Sequence, residues 1–106
     1  MNKIIGLTAL IILLQAGGAG AATPISACTK ISSPGEYILT QNIINSTINT
    51  CIAITSSNVI FDGAGYTIAS TYGTYGVYVY NSTNTLMNVT VLNLIVMDWS
   101  FGIFYL

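Results

Sequence analysis

The chain has 106 residues, room for one small domain, and only five of them are charged: Lys3, Lys30, Glu36, Asp62 and Asp98. With no His, no Arg and a net charge of −1, a basic nucleic-acid surface is excluded. Hydrophobic residues make up 53% of the chain, so solubility rests on Asn, Ser, Thr and Tyr, or on attached sugars.

The amino terminus reads as a secretory signal. Lys3 supplies the positive charge, Ile4 to Leu14 form an apolar run, and Ala19-Gly20-Ala21 matches a small-residue cleavage site. The run is shorter than the roughly 20 apolar residues that a membrane span needs. Residues 1–21 are therefore assigned to a signal helix and 22–106 to the mature domain, with an uncleaved anchor as the alternative. The membrane is met only through this segment, during export. Cys28 and Cys51 both follow the signal, and an even count in an exported chain favours a disulfide. Their separation of 23 residues is close to one coil of a β-solenoid, and residues one coil apart stack at about 4.8 Å. That distance suits bridged cysteines.

In chain order, Thr23 to Ser33 reads as a leader containing Pro24, and Pro34-Gly35 as a turn. Strands are expected at Glu36 to Thr40, from Ile43 and Ile44, at Cys51 to Thr55, Val59 to Asp62, Tyr66 to Ile68, Val77 to Tyr80, Val89 to Val91, Leu94 to Met97 and Gly102 to Leu106. Polar loops are expected at Asn45 to Thr50, Ser70 to Thr74 and Asn81 to Thr85. Each run is short, rich in Val, Ile, Thr and Tyr, and fenced by Gly, Asn or Ser, which is strand punctuation. The apolar stretch from Leu86 to Leu106 is assigned to strands and not to a membrane span, because it holds Asn88, Asn93 and Asp98.

Two phrases recur. Asn58-Val59-Ile60-Phe61-Asp62-Gly63 is answered by Asn88-Val89-Thr90-Val91-Leu92-Asn93, and Gly76-Val77-Tyr78-Val79-Tyr80 by Gly102-Ile103-Phe104-Tyr105-Leu106. The offsets are 30 and 26 residues, a spacing that marks the stacked coils of a solenoid. Period-two alternation places Val59, Phe61, Val77 and Val79 inside, each over its counterpart. Ile68 should lie over Leu94 or Val96, and the four extra residues of the earlier coil should form an insertion near Ser70 to Tyr75.

Cys28 with Ile31, Ser33 to Leu39, Cys51 to Ile54, Asn58 to Ile68 and the two glycine-led phrases resemble the right-handed parallel β-helix family related to the NosD copper-maturation protein. More narrowly they resemble secreted β-helix surface proteins of methanogenic archaea. The resemblance implies an all-β, right-handed parallel β-helix of about three coils, related to the pectin-lyase-like fold. It implies that residues 22–106 are the amino-terminal part of a longer helix, since the chain stops inside a strand-like phrase with no polar cap. Copper binding is not carried over, because soft metal sites draw on His, free Cys and Met, and Met87 and Met97 stand ten residues apart. No cofactor or metal is expected.

Three glycosylation sequons begin at Asn45, Asn81 and Asn88. Asn45 and Asn81 are expected in loops, while Asn88 leads a strand and is a candidate for an internal asparagine stack. Glycoside hydrolysis needs two facing carboxylates. Asp62 aligns with Leu92 and not with Asp98, so no such pair is expected and no catalysis is assigned. Tyr78 and Tyr80 should point outward, Tyr78 over Phe104, within a cluster that also holds Tyr72, Tyr75, Trp99, Phe101 and Tyr105. Such a strip either binds sugars or a partner or is cross-strand packing. The expected product is a secreted or cell-surface β-helix with a structural or adhesive role, its partners being surface glycans or other β-helix chains. The alternative is a carbohydrate-binding or carbohydrate-processing helix whose catalytic coils lie elsewhere.

Overall fold

The computed structural model describes residues 21–106; the helix expected in the amino-terminal signal lies outside them. The described residues form eleven short strands: β1 (Thr23–Ile25), β2 (Thr29–Ile31), β3 (Gly35–Leu39), β4 (Ile43–Ser46), β5 (Thr50–Ile54), β6 (Val59–Asp62), β7 (Thr67–Ser70), β8 (Tyr75–Val79), β9 (Val89–Leu92), β10 (Ile95–Met97) and β11 (Phe101–Tyr105). Every pairing is parallel and joins strands of successive coils. Three sheets result: β1-β3-β6-β9 (sheet A), β4-β7-β10 (sheet C) and β2-β5-β8-β11 (sheet B). The chain is thus an all-β parallel solenoid with three complete coils, each running A, C, B, and a partial coil before them.

The recurring phrases take the positions that their alignment predicts. Val59 pairs with Val89, Phe61 with Val91, Val77 with Ile103 and Tyr78 with Phe104. Ile68 lies over Val96. Alternation sorts the faces: in β6, Val59 and Phe61 are buried while Ile60 between them is exposed. The interior is therefore a set of vertical columns, such as Ile52–Val77–Ile103 in sheet B and Tyr37–Phe61–Val91 in sheet A. Each coil adds one layer of Ile, Val, Leu or Phe to them.

Two expectations are corrected. The leader from Thr23 to Ser33 contains β1 and β2, which pair with β3 and β5. The sequence hides these strands because each has three residues and β1 contains Pro24, tolerated in a strand at the edge of a sheet. The extra four residues of the earlier coil do not form one insertion near Ser70 to Tyr75. The register offset is 30 in sheet A, 28 in sheet C and 26 in sheet B. Two residues are thus added at the Gly63 to Tyr66 corner and two between β7 and β8, where Ser70 itself closes β7.

The corners turn on residues that tolerate left-handed backbone. Asn58, Asn88, Asn93 and Asp98 have φ between 55° and 65°, where Asn and Asp are favoured over other side chains. Asn88 Nδ2 donates to Asn58 Oδ1 at 2.9 Å, so the corner amides of neighbouring coils form a ladder. Both residues are exposed, so this stack lies on the outer corner and is not internal. Thr67 N donates to Asn42 Oδ1 at 2.8 Å and adds a similar inter-coil tie.

One column is built differently. Cys28 precedes Thr29, which pairs with Ile52, so Cys28 stands over Cys51; Gly76 and Gly102 continue the same position in the next two coils. The two cysteines form a disulfide across the coils, with Cα atoms 4.3 Å apart. At Gly76 there is no room for a side chain: an added Cβ would lie 2.6 Å from Gly102 O and 2.6 Å from Val96 Cγ1. Gly76→Ala should therefore lower stability by about 1–3 kcal/mol through overpacking, read as a reduced urea midpoint. An unchanged midpoint would show that the coils are not this closely stacked.

Among the described residues, no strand lies beyond the third complete coil. Ile103 and Tyr105 are 52% and 58% exposed, whereas Val77 and Val79, directly beneath them, are 0% and 1% exposed. One edge each of β9, β10 and β11 has no neighbour among the described residues. The apolar segment from Leu86 to Leu106 thus supplies the third complete coil among the described residues.

Candidate functional site

The outer face of sheet B carries an aromatic row that begins with the Gly76 column. The residue before each glycine and the residue two after it are aromatic, and their rings pack together: Tyr75-Gly76-Val77-Tyr78 lies under Phe101-Gly102-Ile103-Phe104. Tyr75 and Tyr78 stack at 4.4 Å with 16° between their planes, and Tyr75 and Phe101 at 5.5 Å with 21°. Phe104 leans on Tyr75, Tyr78 and Phe101 at 5.3 to 5.7 Å. Tyr80 extends the row, nearly parallel to Tyr78 at 5.7 Å. Such pairs add about 0.5–1.5 kcal/mol each beyond their buried area.

This geometry limits what the row can bind. Where Tyr75 stacks on Tyr78 and on Phe101, the facing sides of the rings cover one another. Tyr78 is accordingly half-buried, while Tyr80 at the margin is exposed. Of the two tyrosines expected to face a ligand, Tyr78 packs against Tyr75, Tyr80 and Phe104, and Tyr80 is the more exposed. The centre of the row is Tyr75. The sequence signal for it is the aromatic-glycine pair Tyr75-Gly76, answered 26 residues later by Phe101-Gly102.

Other members of the expected cluster lie elsewhere. Tyr72 is 88% exposed and apart from the row. Trp99 packs against the core, and its Nε1 donates to Ile68 O at 3.2 Å. Its ring occupies the space that a side chain on Gly73 would need. Tyr105 follows the inward register over Val79, and its hydroxyl donates to Leu86 O at 3.4 Å.

The three sequon asparagines differ. Asn45 lies within β4, at the register irregularity against β7, and not in a loop; it is exposed with φ of 56°. Asn81 opens the loop after β8, and its side chain is committed: Nδ2 donates to Thr55 O, and Oδ1 accepts from Thr83 and Asn84. Asn88 is in the corner ladder described above.

The carboxylates do not meet. Glu36 is on the exposed face of β3, Asp62 ends β6, where Oδ1 accepts from Ala64 N and Asn93 Nδ2, and Asp98 is in the corner before β11. Among the described residues no group of three or more His, Cys, Asp or Glu could hold a metal.

Two of the recesses formed by the described residues are lined by sequon asparagines. One, of about 470 Å³, is a notch above β4 where the partial coil has no sheet C strand; Ser26 to Cys28 and Gln41 to Ile48 line it. It contains neither a charge nor an aromatic ring. The other, of about 350 Å³, lies at the end of the aromatic row and is lined by Lys30, Thr55, Tyr80, Asn81, Ser82 and Thr83. No family model, curated protein or solved structure matches the chain.

Proposed function

We propose that the chain works outside the cell as a surface β-solenoid, with a structural or adhesive role and no catalysis of its own. The observation that carries this reading is the Cys28–Cys51 bridge between coils, with Cys51 fully buried. Disulfides persist in oxidising compartments and are rare in reducing ones, and the signal read in residues 1–21 supplies the route. The resemblance to the NosD-related and archaeal surface β-helices accords with this role. The aromatic row on sheet B supports contact with partners such as surface glycans or another β-helix chain. A carbohydrate-binding role is the second reading, favoured by the open ring of Tyr80.

Brief protease treatment of intact cells tests the proposal. Peptides from the exposed Ser82 to Thr85 loop should be released without lysis, and Cys28 and Cys51 should resist alkylation until a reductant is added. Recovery of the chain only after lysis, with both thiols alkylated directly, would refute it.

A further inference from the structure

The corner after β8 is longer than the solenoid requires. Thr55 to Asn58 suffice between β5 and β6, whereas Tyr80 to Asn88 connect β8 to β9. Insertions confined to one corner of a solenoid commonly build its binding face. This one is held firmly. Asn81 Nδ2 donates to Thr55 O at 2.9 Å, and Asn81 Oδ1 accepts from Thr83 N and Thr83 Oγ1 at 2.9 Å and from Asn84 N at 3.1 Å. Leu86 buries its side chain in the core at the far end.

The loop thereby frames the recess of about 350 Å³. Tyr80 offers a ring that is 36% exposed and already oriented by Tyr78 beside it. Ser82 and Thr83 add hydroxyls, and Lys30 adds the only cationic side chain among the described residues. No carboxylate lines the recess. A concave site with one aromatic wall, a few fixed polar groups and one uncompensated charge selects an amphipathic anion.

We infer that this recess binds a pyranose sugar bearing an acidic group, carboxylate or sulfate. The apolar side of the sugar lies on Tyr80, its hydroxyls meet Ser82 and Thr83, and the acid accepts from Lys30 Nζ. The inference rests on the adhesive reading above and names its ligand class, but it is tested on purified protein, independently of where the chain resides.

The test is an amide chemical-shift titration of the full, disulfide-bonded chain with glucuronate, glucose 6-sulfate and glucose. At least one acid should shift amides from Tyr80 to Asn84 and bind about tenfold more tightly than glucose, the size of one charge-assisted hydrogen bond. Which acid binds more tightly identifies the source of the charge. Lys30→Gln, at an exposed position, should bring acid and neutral sugar within about twofold of each other. Tyr80→Phe should retain binding, Tyr80→Ala should lose it, and Tyr72→Ala should change nothing. Equal binding of all three sugars, shifts centred elsewhere, or a Lys30→Gln variant that keeps the preference would each overturn the proposal.

Discussion

Replacing both bridged cysteines, as Cys28→Ala with Cys51→Ala, should lower stability by roughly 3 kcal/mol, the usual contribution of a disulfide closing a loop of this length. The bridge closes a whole coil, with a separation of 23 residues. It ties the partial first coil, whose only strands are β1 and β2, to the first complete one. Urea unfolding would read the effect as a lower midpoint together with a steeper denaturant dependence, because the freed unfolded chain exposes more surface. The same shift should follow reduction of the unaltered chain. In a domain of this size, where total stability is commonly only about 5–15 kcal/mol, the loss is a large fraction. An unmoved midpoint would mean that the amino-terminal coil contributes little to the fold.

Phe61→Ala should be comparably damaging, at about 3–5 kcal/mol. Phe61 is wholly buried and stands in one column between Tyr37 below and Val91 above. Removing its ring leaves a void that touches three coils, and strands tied to neighbours on both sides cannot easily collapse into it. The adjacent Ile60 gives the control. It points outward from the same strand and is 40% exposed, so Ile60→Ala should stay within about 0.5 kcal/mol of the parent. Thermal unfolding of the two variants would separate them clearly. Equal destabilisation would contradict the alternation that divides inside from outside in sheet A.

Much of this architecture is legible in the sequence because a solenoid writes its three-dimensional neighbours as one-dimensional repeats. Asn58 to Asp62 and Asn88 to Leu92 could be laid over each other by eye, and each aligned pair is a backbone pair in the sheet. Cys28 and Cys51 were legible for the same reason, since their separation is one coil. Sheet C was harder to read. Thr67-Ile68-Ala69 over Ile95-Val96-Met97 shares no identical residue, so the two small insertions on either side of it merged into one. The partial coil was hidden because three-residue strands with a proline look like a leader until their partners are known.

The candidate site was less legible than the fold. Strict alternation assigns Tyr75 inward, because it shares parity with Val77 and Val79. Its ring instead packs with Tyr78, Phe101 and Phe104, at the centre of the row. Lys30 and Tyr80 belong to different coils and are 50 positions apart in the chain, yet they line one recess. Their proximity follows from the stacking of coils and from the folded form of the Asn81 loop, neither of which a repeat alignment displays.

The inter-coil register underlies the disulfide, the aromatic row and the recess alike, and a nuclear Overhauser spectrum of methyl and aromatic protons tests it most directly. Contacts should join Val59 with Val89, Phe61 with Val91, Val77 with Ile103 and Tyr78 with Phe104, with a constant separation within each strand pair. Contacts whose sequence separation instead falls steadily along each strand pair, as in antiparallel hairpins, would contradict the solenoid and everything built on it.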